Sequence, residues 1–441
     1  MGRHLKDTSS TSRTRVLNLT RILDEPVDWR YKSFPAGPAV PIRAVGEQGW
    51  NALDGAFMRP VMVLKGSALR HNLQEMAGYC RMNGIELAPH VKTHMSPQLF
   101  RMQLDAGAWA LTVANVSQAR VWRAFGAERI ILANELVEPG SAHWVAEELE
   151  RDPDFELMCL VDSPAGVAIL DAALEKARPV RPLKVLVEVG FPGGRTGGRT
   201  LEDVRSVASA VAGSQNLLLV GLESFEGIIH EGEPAATLEA VDRFMGAFRA
   251  AVIDFDEAGF FSRTEEVMLS AGGSAFFDRV VSGLSAPLRL SKPVRIVLRS
   301  GCYLTHDAVH YAQTSPFGGR LAGTEPLSDA MEIWGAVLSL PEPGLALLGF
   351  GKRDVSYDLG LPVPRLVKSG TGPVRQMRGE ASIFALNDQH AYMRLTGEER
   401  LRVGDLVGCG ISHPCTAFDK WRLIPVVDDE YRVLDAVLTY F

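Results

Sequence analysis

Eight short apolar runs rich in β-branched residues recur between residues 85 and 301 of this 441-residue chain. They span residues 85–92, 109–115, 129–135, 156–162, 184–190, 216–226, 266–271 and 295–299. The segments between them are each long enough for one helix, and several carry apolar residues at helical spacing: 96–105, 117–125, 163–176 and 201–211. Eight alternations of strand and helix predict an α/β fold of the (β/α)8 barrel type, because parallel strands need a crossover of helical length.

The rest of the chain predicts an N-terminal arm and a second domain. Residues 1–55 contain four prolines and little periodicity, so we expect an irregular arm that packs on the second domain. Residues 56–330 hold the barrel and, before it, a strand at 61–65. After that, short runs alternate as strands between Gly, Pro and Asp turns, which indicates a mainly β domain over residues 331–441. The glycine-rich stretch 349–379 is predicted to be a long loop in that domain.

Composition excludes several classes of partner. Lys plus Arg number 46 against 53 Asp plus Glu, a net charge of -7, and the basic residues are scattered, so nucleic acid is not expected. No stretch approaches the roughly 18 apolar residues of a membrane helix. Five widely spaced cysteines, an odd number, do not make a disulfide framework. We therefore expect a cytoplasmic enzyme that acts on a small molecule.

Lys92 and His94 follow the first apolar run, and in a barrel the chemistry gathers at the carboxyl ends of the strands. A lysine amine at such a strand end can condense with an aldehyde cofactor. A solvated surface lysine is the alternative, since most lysines are exposed. His94 either contacts the cofactor or satisfies a strand-end carbonyl, and the sequence leaves both open.

Glycine-rich turns follow the seventh and eighth runs, where barrels of this type commonly bind phosphate. Gly272, Gly273 and Ser274 follow the seventh run, and Gly301 and Tyr303 follow the eighth. Exposed backbone N–H groups and a helix start in such turns face an anion, although a Gly-Gly-Ser turn is also common in ordinary loops. The Tyr303 phenol is placed to reach the phosphate or a substrate carboxylate. A lysine on the first strand opposite a phosphate cradle indicates pyridoxal 5'-phosphate.

Four motifs together resemble the D-serine dehydratase and D-threonine aldolase family, which are fold-type III pyridoxal phosphate enzymes related to alanine racemase. The motifs are His90-Val-Lys-Thr-His94, Val189-Gly190 with the following Arg195-Thr-Gly197, the segment Gly221 to His230, and Ser412-His-Pro-Cys415. The resemblance covers roughly residues 50–441. It implies that Lys92 holds the cofactor, Arg195 faces its pyridine nitrogen and His230 lies beside the substrate. It also implies a homodimer in which the β domain of one subunit completes the pocket of the other.

Arg195 has a chemical consequence in that position. A guanidinium stays protonated in proteins, so it donates to the ring nitrogen and leaves the pyridine neutral, a weaker electron sink. Chemistry that avoids a long-lived carbanion, or that has help from a metal, is then favoured. The alternative is that Arg195 neutralises Glu188 or a nearby surface charge.

Imidazole and thiolate two positions apart can point at one ion, and this soft pair suits zinc. By themselves His413 and Cys415 are more typical of a loop histidine near a buried cysteine, and it is the resemblance that implies they are the metal ligands. Members of the family with aldolase activity tend to carry Asp at the second position, whereas dehydratases carry Cys. Thr416-Ala-Phe-Asp419 then stands where many members read Pro-Thr-Val-Asn, a departure that leaves the substrate contacts near the metal open.

The resemblance and the metal pair together predict pyridoxal phosphate- and zinc-dependent β-elimination of a D-3-hydroxy amino acid such as D-serine, giving a 2-oxo acid and ammonia. The alternative is retro-aldol cleavage of such a substrate to glycine and an aldehyde, which would use the same residues, cofactor and metal. Racemisation needs acid–base groups on both faces of the substrate and no metal. The alternative that is not an enzyme is a cofactor-carrying protein without catalytic turnover. The β domain at 331–441 argues against it.

Overall fold

The computed structural model describes residues 17–441, and the first part of the predicted arm lies outside the described residues. The arm contains three short elements and a 3-10 turn at Ile42–Glu47. The elements are α1 (Thr20–Leu23), β1 (Pro26–Val27) and β2 (Val40–Pro41). The arm contacts the C-terminal domain, where the Lys32 ammonium lies 3.0 Å from Asp354 and 4.0 Å from the centre of the Trp421 ring.

The next strand and helix are β3 (Val61–Lys65) and α2 (Gly66–Asn83), and the barrel strands follow. These are β4 (Glu86–Leu87), β5 (Leu111–Val113), β6 (Arg129–Glu135), β7 (Glu156–Val161), β8 (Leu183–Val189), β9 (Leu217–Ser224), β10 (Val267–Ala271) and β11 (Val294–Leu298). All neighbouring pairs are parallel, in the order β4-β11-β10-β9-β8-β7-β6-β5. A parallel bridge between His90 and Thr112 closes the sheet into a barrel. The predicted (β/α)8 fold is confirmed, with each strand inside or within a residue of its apolar run.

Helices cover the outside of the barrel. They are α3 (Pro97–Asp105), α4 (Val116–Ala124), α5 (Pro139–Arg151), α6 (Pro164–Ala177), α7 (Leu201–Ala212), α8 (Pro234–Glu257), α9 (Phe277–Ser285) and α10 (His310–Thr314). Short 3-10 turns at Val91–Thr93 and Cys302–Leu304 follow β4 and β11. The inside of the barrel is a separate apolar cluster of nine buried side chains: Ala88, Ala110, Ile131, Met158, Leu160, Leu186, Val220, Met268 and Val297. The barrel is therefore a packed core and not a pore.

The second domain is a mainly antiparallel sheet, in which only β3 and β19, among the described residues, pair in parallel. Its strands are β12 (Met331–Glu342), β13 (Leu345–Leu348), β14 (Val363–Lys368), β15 (Arg375–Gln376), β16 (Glu380–Leu386), β17 (Ala391–Thr396), β18 (Leu406–Gly410), β19 (Leu423–Val427) and β20 (Val433–Leu438), and α11 (Cys415–Phe418) is a single helical turn. The long strand β12 pairs with β18, β13 and β3. The predicted β domain is confirmed in its fold, but β3, which the sequence placed with the barrel segment, belongs to this sheet.

The loop prediction for residues 349–379 is wrong in part, because β14 and β15 lie within it. β14 pairs with β18, with a register shift between Pro364 and Leu366. Proline has no N–H for a ladder bond, so an irregularity there is expected. Glycines on both sides and the proline inside hid this strand from periodicity, although Val367 is fully buried.

No helix among residues 17–441 is long and apolar enough to cross a membrane.

Asn72 on α2 joins the barrel to the second domain. Its amide nitrogen donates to the carbonyls of Leu304, at 2.9 Å, and Ser328, at 2.8 Å, and its carbonyl oxygen accepts from the N–H of Ser328 at 2.8 Å. The side chain is fully buried. One amide thus satisfies three backbone groups in the segment that leads from β11 into β12.

Replacing Asn72 with alanine is expected to lower the free energy of unfolding by about 2–4 kcal/mol, because it leaves buried backbone groups without partners. Asn83→Ala is the matched control, since that exposed asparagine on the same helix makes one bond, to the Tyr79 carbonyl, and is expected to cost less than about 0.5 kcal/mol. Urea unfolding followed by circular dichroism measures both. Equal losses in the two variants would contradict the bridging role of Asn72.

Candidate active site at the carboxyl ends of the barrel strands

Lys92 lies in the 3-10 turn after β4, at the mouth of the barrel, and its side chain is partly buried. Within residues 17–441 its amine makes no hydrogen bond or ion pair. Its charge acts on two neighbours, His90 and Cys415, and lowers the pKa of each, although other causes are larger. The structure therefore brings the predicted cofactor lysine close to one of the two predicted metal ligands.

His94 is held by a buried chain of hydrogen bonds. Its Nδ1 accepts the N–H of Ser96 at 3.0 Å, so Nε2 carries the proton and donates to the Gln103 carbonyl oxygen at 3.2 Å. The Gln103 amide in turn donates to the Tyr303 hydroxyl at 3.1 Å. Burial lowers the pKa of His94 to about 4, so the ring is neutral. Both ring nitrogens of His94 are thus engaged, by the Ser96 N–H and the Gln103 side chain and not by a strand-end carbonyl. Tyr303 is part of the same buried chain, and the cofactor roles of both residues stay predictions.

The predicted phosphate cradle is partly occupied by the chain itself. The N–H groups of Gly272 and Gly273 donate to the carboxylate of Glu226, at 3.1 and 2.7 Å. In this structure the two N–H groups of the predicted cradle are thus used by the buried Glu226 carboxyl group. The phosphate role of Gly272 and Gly273 stays a prediction. Ser274 and Gly301 remain as candidates.

A ring of buried polar atoms surrounds this end of the barrel. Arg299 contacts the Glu223 carboxylate and donates to the Ser224 carbonyl at 2.8 Å. Several buried atoms among residues 17–441 have no hydrogen-bond partner: His90 Nδ1, Glu223 Oε2, Ser224 Oγ, Ser270 Oγ and Arg299 Nε. Each buried polar atom without a partner costs about 1–3 kcal/mol of folding free energy. We therefore expect this site to bind a polar ligand. The ring nitrogen, hydroxyl and phosphate of pyridoxal phosphate are ligand groups of that kind, and the residues present fit the cofactor.

Two acidic side chains, Glu135 and Glu188, lie at the ends of β6 and β8. Burial and the adjacent Glu188 carboxyl raise the pKa of Glu135 to about 8. Glu188 also accepts a hydrogen bond from the Thr196 hydroxyl at 2.7 Å. Burial likewise raises the pKa of Glu223 to about 8, although the Arg299 guanidinium opposes it. Two of the acidic side chains here are therefore largely neutral near pH 7.

Arg195 is exposed, with its guanidinium 5.0 Å from the centre of the Phe225 ring. It lines a cleft together with Glu188, Phe191 and Phe225. Its side chain makes no ion pair within the described residues, so it is not the partner of Glu188 that the alternative required. His230, five residues beyond Phe225, is also exposed, and its ring makes no hydrogen bond in this part of the chain.

Asp358 orients His413. The carboxylate lies 2.6 Å from His413 Nδ1 and accepts from the Thr416 hydroxyl at 2.7 Å. Burial acts in the other direction, but these bonds lower the pKa of Asp358. An imidazole that donates from Nδ1 to a carboxylate presents Nε2 to a metal. The sequence predicted only that Asp358 lies in the loop 349–379, so this role of Asp358 was missed.

The Cys415 sulfur lies 3.3 Å from the Thr93 hydroxyl and 3.6 Å from the Cys302 sulfur. The Cys302 contact lowers the pKa of Cys415 to about 7 against the effect of burial, while the pKa of the buried Cys302 is raised. Cys415 is thus ready to act as a thiolate ligand. Across residues 17–441, no group of three or more His, Cys, Asp or Glu side chains is arranged to hold a metal. The candidate metal set remains the pair His413 and Cys415, whose donors suit zinc.

Comparisons with known proteins agree with this geometry. Two family models match, "Alanine racemase, N-terminal domain" over residues 64–314 and "Putative serine dehydratase domain" over residues 330–427. A 3-hydroxy-D-aspartate aldolase of Paracoccus denitrificans (strain Pd 1222) is 25% identical over 311 residues, 70% of this chain and 76% of the relative. A D-threonine aldolase of Arthrobacter sp is 24% identical over 374 residues, 84% of this chain and 89% of the relative.

Solved structures show the same fold. The D-threonine aldolase from Filomicrobium marinum superposes with a TM-score of 0.72 at 24% identity, covering 87% of this chain and 95% of the other. A D-threo-3-hydroxyaspartate dehydratase, solved as a cysteine-to-alanine mutant in a metal-free form, gives a TM-score of 0.67 at 19% identity, covering 87% and 97%. Two lyase activities on D-3-hydroxy amino acids are thus found on this fold.

The raised pKa of Glu135 makes stability depend on pH in a defined direction. The folded state keeps the Glu135 proton up to about pH 8, whereas the unfolded chain loses it near the ordinary glutamate pKa of 4.5, so folding is disfavoured progressively as pH rises between these values. Glu135→Gln removes this penalty. Relative to the original protein, the variant should gain about 1–3 kcal/mol between pH 5 and pH 8.5, after discounting for partial exposure.

Urea unfolding of the protein without added cofactor measures this gain at both pH values. Glu150→Gln on the exposed face of α5 removes the same charge and should show no such pH-dependent gain. A constant difference between Glu135→Gln and the original protein across this range would show that Glu135 is ionised in the folded state.

Proposed function

Because this chain belongs to the family of the alanine racemase N-terminal domain, the fold-type III pyridoxal phosphate enzymes, we propose that it eliminates water from a D-3-hydroxy amino acid. The products are a 2-oxo acid and ammonia, and D-serine, which would give pyruvate, is a substrate of this type. The observation that carries the proposal is the contact of Cys415 with Thr93, in the turn that carries Lys92, together with His413 two positions away, whose imidazole Asp358 orients. A thiolate ligand beside the cofactor lysine suits zinc, and zinc activates a hydroxyl as a leaving group.

Each residue has a separate role. Lys92 would hold the cofactor, and its free amine is the base that takes the proton from the substrate Cα. His413 and Cys415 would hold the zinc. When bound, the cofactor would supply electron withdrawal from Cα, and zinc would supply Lewis-acid help to the β-hydroxyl as a leaving group.

Two contacts prepare the metal ligands. Asp358 fixes the His413 tautomer, so Nε2 is left as the donor towards a metal. The Thr93 hydroxyl, 3.3 Å from the Cys415 sulfur, stabilises negative charge on that sulfur. Thr93 directly follows Lys92, so the turn at Val91–Thr93 sets the distance between the proton acceptor and the leaving-group site.

Arg195 favours elimination over a reaction that needs a long-lived negative charge at Cα. Its side chain is free of ion pairs within the described residues and is available to donate to the cofactor ring nitrogen. A permanently protonated donor keeps that ring neutral and weakens it as an electron sink. Help from a metal would let the leaving group depart sooner. Negative charge would then be held at Cα for a shorter time.

Retro-aldol cleavage is the second candidate, and the names of the relatives favour it. Both the Paracoccus and the Arthrobacter protein are aldolases. The same residues serve this reaction, with a base, for which the exposed His230 is the candidate, taking the proton from the β-hydroxyl. Which bond breaks depends on which one is aligned with the cofactor π system, and this is a matter of substrate positioning.

Product analysis distinguishes the two reactions. The full chain, supplied with pyridoxal phosphate and zinc, is incubated with D-serine, D-threonine and D-threo-3-hydroxyaspartate. Elimination yields ammonia and a 2-oxo acid, which is the expected result, whereas cleavage yields glycine and an aldehyde. Lys92→Ala should lose the products and the visible absorption of the covalently held cofactor, while Lys176→Ala, on the exposed face of α6, keeps both. Absence of both product sets with the original protein would overturn the proposal.

Asp358→Ala tests the metal site directly. Loss of the carboxylate that orients a metal-ligating histidine typically weakens metal binding about 10–100-fold, and we expect that weakening here. Competition with a chromophoric zinc chelator measures it without any substrate. Asp388→Ala, at an exposed aspartate on another loop of the same domain, is the control and should bind zinc as the original protein does. Unchanged zinc affinity in Asp358→Ala would mean that His413 is not a ligand.

A further inference from the structure

Cys302 and Cys415 form the one sulfur–sulfur contact among the cysteines of residues 17–441. Their Sγ atoms are 3.6 Å apart, and the Thr93 hydroxyl lies 3.7 Å from the first and 3.3 Å from the second. The other three cysteines, Cys80, Cys159 and Cys409, are buried and free. The two sulfurs come from positions more than a hundred residues apart in sequence, the turn after β11 and the start of α11.

The pair is asymmetric in exposure. Cys415 is partly exposed at the mouth of the site, while Cys302 is 5% exposed and lies behind it. A small oxidant from solvent therefore meets Cys415 first, with Cys302 as the next sulfur. The geometry is that of an attacking thiol backed by a resolving thiol.

Only a small movement separates this contact from a covalent bond. A disulfide has a sulfur–sulfur length of about 2.05 Å, so the sulfurs must approach by roughly 1.5 Å. Both cysteines lie in short helical turns, Cys302–Leu304 and Cys415–Phe418, and not in the interior of a strand or long helix. Side-chain rotation and small shifts of these turns are enough to provide that approach.

We propose that Cys302 and Cys415 are a reversible oxidation site at which peroxide forms an intramolecular disulfide. The Cys415 sulfur attacks the peroxide, its O–O bond breaks, and Cys415 becomes a sulfenic acid with release of one water. The Cys302 sulfur then attacks that sulfur, the S–O bond breaks, and a second water leaves. Two thiols and one hydrogen peroxide thus give one disulfide and two waters, and a thiol reductant returns both thiols.

The consequence for catalysis rests on the proposed function, because it requires Cys415 to be a zinc ligand. A sulfur in a disulfide cannot serve as a thiolate ligand, so oxidation removes half of the His413 and Cys415 pair. Zinc bound to Cys415 should in turn shield that sulfur. Cys302 also limits damage, since a sulfenic acid captured as a disulfide does not proceed to the irreversible acids.

The test treats the full-length protein, first stripped of zinc with a chelator, with an equimolar amount of hydrogen peroxide. Remaining thiols are blocked with N-ethylmaleimide, and the non-reduced digest is mapped by mass spectrometry. The expected result is a cross-link between the peptides that contain Cys302 and Cys415, and its loss on reduction. If the protein consumes the peroxide but the peptide map lacks this cross-link, the proposal is overturned. This outcome is measured on the original protein and requires no variant.

Cys302→Ser provides the second arm, with Cys80→Ser on α2 as the matched control. In Cys302→Ser, Cys415 should proceed to sulfinic or sulfonic acid that a thiol reductant does not reverse, whereas Cys80→Ser should form the link as the original protein does. Reversible protection of Cys415 in Cys302→Ser would show that Cys302 is not the resolving thiol.

Zinc-loaded protein separates this proposal from the function. Slower cross-linking with zinc than without it supports both the oxidation site and the role of Cys415 as a zinc ligand. Cross-linking at the same rate leaves the oxidation site intact but rules out Cys415 as a zinc ligand. Zinc binding by Cys415 without cross-linking in the zinc-free protein leaves the metal site intact and overturns the oxidation site.

Discussion

Closure of the parallel sheet is the constraint on which the rest of the structure depends. The bridge between His90 and Thr112 joins the two end strands, so that the carboxyl ends of all eight strands surround one mouth. Side chains that are far apart in sequence, such as Lys92, Glu223 and Arg299, then become neighbours in a small volume. Without closure, the polar atoms of these buried residues would meet water, and no ligand would be needed to satisfy them.

A second constraint brings the metal ligands to that mouth. β3 precedes the barrel in sequence but pairs with β12 and β19 of the C-terminal sheet, so the chain is anchored in the second domain before it enters the first. Asn72 fastens the return path from β11 to β12. With both connections fixed, the turn that carries His413 and Cys415 lies against the turn that carries Lys92. The proposed chemistry needs this proximity, since proton removal and hydroxide departure occur on adjacent carbons.

Periodicity predicted the barrel well because it is a local signal repeated eight times. β14 was missed because Pro364 and the flanking glycines remove that signal, and its burial depends on the pairing with β18. The contacts of the predicted site residues could not be read from the sequence, since they depend on how the chain folds around them. Whether Gly272 and Gly273 bind phosphate depends on Glu226, and whether His94 is free depends on Gln103. Nothing in the sequence indicated the contact between Cys302 and Cys415, because the two cysteines lie in different domains.

The balance of charge at the mouth follows from burial. Low dielectric surroundings favour the neutral form of a carboxyl, and here burial raises the pKa of both Glu135 and Glu223 to about 8. Arginine does not respond in this way, because it stays protonated in proteins, so Arg195 and Arg299 keep their charge. Several acidic side chains therefore line the site without making it strongly negative near pH 7. The charged groups that remain at the mouth of the barrel include the two guanidinium groups. These attract an anionic cofactor and the carboxylate of an amino acid substrate. Raising the pH above 8 would ionise these carboxyls and oppose the binding of both anions.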